Sequence, residues 1–124
     1  MKKENRLKKR KQFNWIFKNG KTIKEKDVVI VYTSSYGNDY KVGFSVTKKV
    51  GKAVVRNKVK RRLKAIITKY RNNIMQKHTM IFVARPSIVE TKFEDIENQI
   101  IVLLKKANLY KEIWKRYWTL FFIH

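Results

Sequence analysis

The densest chemically active run in the chain is cationic. It reads Lys48-Lys49-Val50-Gly51-Lys52-Ala53-Val54-Val55-Arg56-Asn57-Lys58-Val59-Lys60-Arg61-Arg62-Leu63-Lys64. Lysine offers phosphate a compact point charge, and arginine offers a planar fork of donors. Asn57 among them can hydrogen-bond a sugar, a phosphate or a base edge, or cap a backbone group. Groups suited to acid–base or covalent catalysis are sparse. His78 and His124 are the only histidines, and nothing around either suggests a metal site or a triad. Cysteine is absent, which excludes disulfide scaffolds, thiolate zinc sites, iron–sulfur clusters and cysteine nucleophiles, and is compatible with a reducing cytoplasm. Glu94, Asp95 and Glu97 cluster at a helix start, where acids complement the dipole and need no metal. Lys48 to Lys52 holds a single glycine and does not match a phosphate-cradling loop.

The distribution of charge points to a polyanion. The chain of 124 residues has 31 Lys and Arg against 9 Asp and Glu, a net charge of +22. Such a charge repels itself in a compact state and favours an anionic partner. From Lys41 to Val89 there is no acid, and the N-terminal arm adds Lys2, Lys3, Arg6, Lys8, Lys9, Arg10 and Lys11. A surface charged only for solubility would mix signs. This segregation reads as a footprint for nucleic-acid phosphates. Hydrophobic residues make up 44%, too many for a disordered polyelectrolyte. No apolar run approaches the roughly 20 residues of a membrane-spanning helix, and no signal-peptide core follows the basic start.

The elements that must position these residues fit one domain over 1–124, with a basic arm at about 1–11. Residues 9–18 suit a short helix with Phe13, Ile16 and Phe17 on one side and Gly20 as its stop. Residues 27–34 and 40–48 read as strands, expected to pair as an antiparallel hairpin around a turn at Tyr36-Gly37-Asn38-Asp39. A helix over 55–73 buries Val55, Val59, Leu63, Ile66, Ile67, Tyr70 and Ile74 and turns its cations outward. Residues 79–85 are nearly all apolar and read as a central strand ended by Pro86. Thr91-Lys92-Phe93-Glu94 fits a capping box for a last helix with a core stripe of Phe93, Ile96, Ile100, Leu103 and Leu104. The order α-β-β-α-β-α predicts an α+β sandwich of a small sheet and helices.

The run Arg56-Asn57-Lys58-Val59-Lys60-Arg61, following Lys48-Lys49-Val50-Gly51, resembles the RNR-type motif of the bacterial ribonuclease P protein component. The likeness extends over about residues 4 to 110. It takes in Asn5-Arg6-Leu7-Lys8-Lys9, Phe13 and Phe17, Val42-Gly43-Phe44-Ser45-Val46-Thr47-Lys48-Lys49, and Phe82-Val83-Ala84-Arg85-Pro86. Lys58 stands where the motif has arginine, which keeps the charge and loses the fork. The resemblance implies a protein with no catalytic residues of its own. Its partners would be ribonuclease P RNA, which removes the 5′ leader of precursor tRNA using Mg²⁺, and the precursor tRNA itself. It also implies an unusual left-handed βαβ crossover. Carried over by position, Arg56, Asn57, Lys58, Lys60, Arg61 and Lys64 face the catalytic RNA. Phe13, Phe17, Tyr32, Ser45 and Lys60 line a cleft for the leader. An aromatic floor with a basic rim suits single-stranded RNA, since every base offers a face for stacking. The plain alternative for Phe13 and Phe17 is core packing.

The competing readings are a structural RNA-binding protein of ribosomal or chaperone type, and a basic membrane-surface protein. Composition does not separate the first from a ribonuclease P subunit. The strand pattern argues against the second, which usually offers one amphipathic helix. Leu109 to His124 departs from the family in being aromatic and apolar. It is open between extending the last helix, contacting a protein or membrane, and disorder.

Overall fold

The computed structural model describes residues 2–35 and 37–112. Helix α1 (Arg10–Asn19) leads into strands β1 (Lys21–Lys24), β2 (Val28–Ser34) and β3 (Lys41–Ser45). Helix α2 (Ala53–Lys69), strand β4 (His78–Ala84) and helix α3 (Phe93–Lys106) complete the described α+β fold. The four strands form one sheet in the order β1-β2-β4-β3.

Alternation along the strands sends side chains to two cores. Val28 and Ile30 of β2, Val42 of β3 and Met80 and Phe82 of β4 join Leu63, Ile66 and Ile67 of α2 and Ile96, Ile100, Leu103 and Leu104 of α3. Val29, Val31 and Ile81 point the other way and pack with Ile16 of α1 and with Leu7. The sheet therefore separates α1 from the other two helices. Arm and sheet are joined: Asn5 is buried, and its side-chain amide donates to the Tyr40 carbonyl at 2.8 Å.

The expected β2–β3 hairpin does not form. Strand β4 is the apolar centre and pairs antiparallel with β2 on one edge and parallel with β3 on the other. A parallel pair needs a long crossover, and α2 supplies it. Strand β1, too polar and short to stand out in the sequence, covers the outer edge of β2. The outer edge of β3 is met by the arm, where Leu7 N–H donates to the Val42 carbonyl at 2.9 Å.

Three local expectations change as well. Helix α2 ends at Lys69, and Ile74 reaches the core from beyond a 3₁₀ turn over Arg71–Asn73. The capping box does not form: Lys92 is the N-cap of α3, and the Thr91 hydroxyl donates to the Asp27 carboxylate at 2.8 Å. Phe93 at the first turn is 39% exposed and lies outside the core stripe. Gly20 does follow α1, but with ordinary negative φ. Glycine is needed there because a Cβ would stand 2.7 Å from the Ile16 carbonyl oxygen. Of the C-terminal stretch, Leu109 is buried and Tyr110 bridges Ile74. The expectations for 113–124, and that for Tyr36 in the turn, lie outside the described residues.

Candidate nucleic-acid interface

Helix α1 stands over one face of the sheet with Ile16 turned inward, so Phe13 and Phe17, one turn apart, share a flank. Their ring centroids are 6.5 Å apart with planes tilted by 41°. Phe17 is 44% exposed, and Phe13 is half-buried. Across from them Phe44 and Ser45 of β3 complete a groove of about 560 Å³. Its cations are Lys8 and Arg10 from the arm and first turn of α1, and Lys60 from α2. A neighbouring hollow shares Phe13, Phe44 and Lys60 with it and adds Arg6, Gly43 and Lys64. Together they make one aromatic groove with basic sides.

The groove's shape depends on Gly43. A Cβ at this position would lie 2.5 Å from Cζ of Phe13 and 3.1 Å from Cδ2 of Leu7. The missing side chain lets the Phe13 ring lie against the strand.

Helix α2 buries Val59, Leu63, Ile66 and Ile67, which fixes the directions of its cations. Lys60 and Lys64, one turn apart, face the groove. Lys58, Arg61 and Arg62 line a shallow hollow on another flank, beside Ala65 and Phe93. Asn57 is exposed near the start of the helix, and Arg56 is half-buried. Among the described residues, Arg56 Nε is the buried side-chain nitrogen or oxygen with no hydrogen-bond partner.

The sequence-predicted cleft residues Phe13, Phe17, Ser45 and Lys60 thus meet in one groove. Tyr32 is not with them. It lies on the opposite face of the sheet, packed against the core under α2 and α3, because its neighbour Val31 takes the direction of α1. The predicted helix cations divide between the two flanks of α2. Sequence reasoning missed Lys8, Arg10 and Phe44 as groove residues. The basic arm was visible, but its return to the edge of β3 was not.

No carboxylate lines either hollow beside α2 or the groove. Three of the acids are engaged elsewhere. Glu97 pairs with Lys69 at 2.7 Å, and this hydrogen bond raises the Lys69 pKa. Glu25 pairs with Lys106 at 3.1 Å. Asp27 is buried and accepts from Ser87, Thr91 and Gln99, while Gln99 Oε1 accepts the Asp27 N–H at 2.8 Å. Burial pushes the Asp27 pKa up, and the three donors together with the Lys26 charge more than offset it, leaving it below the usual carboxylate value. This cluster ties the β1–β2 turn to α3 and is remote from the groove in function and sign. Among the described residues no group of three or more His, Cys, Asp or Glu could hold a metal ion. No helix among them is long and apolar enough to cross a membrane.

Comparison with known proteins supplies the family. The family described as Ribonuclease P matches residues 1–108. A ribonuclease P protein component of Syntrophomonas wolfei is 33% identical over 108 residues, covering 87% of this chain and 91% of that protein. One from Clostridium botulinum is 40% identical over 112 residues, covering 87% and 98%. The solved structure of the Staphylococcus aureus RNase P protein superposes with a TM-score of 0.78 at 28% identity, covering 86% of this chain and 98% of that one. An aromatic groove with basic sides, a cationic crossover helix and relatives matched over nearly their whole length lead to one assignment: the chain belongs to the bacterial ribonuclease P protein components, subunits of an endoribonuclease in tRNA processing.

Proposed function

We propose that this protein binds ribonuclease P RNA through α2 and holds the 5′ leader of precursor tRNA in the Phe13–Phe17 groove. The observation that carries the reading is the meeting of Phe13, Phe17, Phe44 and Ser45 with Lys8, Arg10 and Lys60 in one groove. Single-stranded RNA is met by such a surface through base stacking and backbone neutralisation, without need of a particular sequence. Arg56, Asn57, Lys58, Arg61 and Lys64 supply contacts to the catalytic RNA.

In this reading the RNA subunit performs the cleavage, and the Mg²⁺ it uses is held by RNA. A protein-held Mg²⁺ takes one or two carboxylates, and the groove is lined by none. What the protein contributes is orientation: it fixes the leader beside the catalytic RNA and screens repulsion between two polyanions. The compartment that suits this work is the cytoplasm.

Reconstitution tests the proposal. Added to a bacterial ribonuclease P RNA at low Mg²⁺, the chain should restore cleavage at the 5′ end of a precursor tRNA. Failure to restore it, with the protein folded, would refute the assignment of partners. Unselective binding to any structured RNA would favour a general RNA-binding role instead.

A further inference from the structure

Helix α1 has a second flank that borders an opening. With 100° per residue, Arg10, Phe13, Asn14 and Phe17 fall on one side, and Lys11, Gln12 and Trp15 fall on the other. That other side borders a separate opening of about 460 Å³, within the range of small-ligand clefts. Facing Trp15 across it are Thr33, Ser34 and Thr79, from the end of β2 and the start of β4, and Lys41 of β3. Leu7 borders this opening and also the hollow beside Gly43, so the two lie on either side of one side chain.

Three observations define what would fill it. The Trp15 side chain belongs to neither core and is 56% exposed, more than Phe17 at 44%. An indole left in water is a large flat apolar surface with one donor, suited to an aromatic partner. The wall opposite offers hydroxyls, which can give and accept hydrogen bonds. Among the described residues the cations are Lys11 and Lys41, and no acidic side chain lines the opening. A neutral peptide or an apolar small molecule could use the indole, but neither uses the charge. On a chain of net charge +22, the occupant favoured by both is an aromatic group carrying phosphate.

We propose that the Trp15 opening is a second stacking site, which takes one unpaired nucleotide of an RNA strand. Its base lies on the indole, its polar edge meets the hydroxyls of Thr33, Ser34 or Thr79, and its phosphates are met by Lys11 and Lys41. The proposal rests on the RNA-binding reading above and adds a site outside the leader groove. The nucleotide comes from the precursor or from the catalytic RNA, and the two sources are separable by experiment.

The test uses the full chain and a bacterial ribonuclease P RNA. Two affinities are measured: protein for the catalytic RNA, and holoenzyme for precursor tRNA with a one-nucleotide or a longer leader. Trp15→Ala should weaken one of them roughly 5- to 150-fold, and Trp15→Phe should recover most of the loss. A loss confined to the longer leader assigns the nucleotide to the leader. A loss with both precursors alike assigns it to the precursor outside the leader, and one in catalytic-RNA binding assigns it to that RNA. Lys11→Ala with Lys41→Ala, which keeps the indole, should flatten the salt dependence of the same affinity by about 2 in slope. Trp15→Ala with both affinities within twofold of wild type and unchanged circular dichroism overturns the proposal, as does an unchanged slope in the lysine variant. Arg61→Ala is measured alongside. If it weakens binding and the Trp15 variants do not, the second site alone fails. If the wild-type chain binds neither RNA, the broader reading fails.

Discussion

Gly43→Ala is the sharpest perturbation of the groove, because its effect is set by one contact. The added methyl would stand 2.5 Å from Cζ of Phe13, where carbon atoms prefer about 3.5–4.0 Å. The ring must therefore withdraw by about 1 Å or more, or the strand must shift. Overpacking of this kind costs about 1–3 kcal/mol, which is about 3–6 °C of Tm per kcal/mol for a chain of this size. The ring that moves forms part of the groove, and it stands 6.5 Å from Phe17, so leader affinity should fall with stability. A double-mutant cycle isolates the contact. Denaturant melts of Gly43→Ala, Phe13→Ala and the double variant should show that Gly43→Ala costs about 1–3 kcal/mol with phenylalanine at 13 and only a few tenths with alanine there. The residue left in the second case is the 3.1 Å approach to Leu7. Equal costs in both backgrounds would refute the reasoning and mean that the strand itself, not the ring, resists a side chain.

Three further predictions follow from the same structure. Phe17→Ala should lower holoenzyme affinity for a precursor with a leader of several nucleotides by roughly 5- to 150-fold and leave a one-nucleotide leader nearly unaffected, whereas Tyr32→Ala, on the opposite face, should lower the Tm without that leader dependence; titration with both leader lengths decides. Affinity for RNA should fall steeply with salt, with a log–log slope several units negative if about 6–10 phosphates are neutralised, and a slope shallower than −2 would contradict the electrostatic footprint. Asp27 has a folded-state pKa below its unfolded value, so its contribution to stability is present above pH about 4 and is lost as pH falls through the folded value; Asp27→Asn should destabilise at pH 7 by about 1–3 kcal/mol and remove that part of the acid-side loss, as pH-dependent denaturant melts would show.

Much was readable from the residues alone, where the deciding physics is local. The α1 and α2 helices follow from apolar spacing, and the nearly all-apolar stretch at 79–85 marks β4 as a central strand. The acid-free basic stretch needs no fold to be recognised, since charge is a property of composition. The pairing of Phe13 with Phe17 follows from one helical turn. Tertiary structure decided everything that depends on which surfaces meet. Strand β3 chose β4 over its sequence neighbour β2 because the apolar β4 needs a partner on each edge and α2 is long enough to bring the chain back. Thr91 left its helix end for Asp27, because a buried carboxylate demands donors more strongly than a helix terminus does. Tyr32 fell away from the groove because β4 stands between its strand and β3, whose Phe44 packs on the same core face and still lines the groove. The sequence by itself determined that the chain meets a polyanion with aromatic and cationic side chains. Only the fold decided that Phe13, Phe44 and Lys60, from three separate elements, share one groove while Trp15 opens onto another, because docking directions come from two cores packed on opposite faces of one sheet.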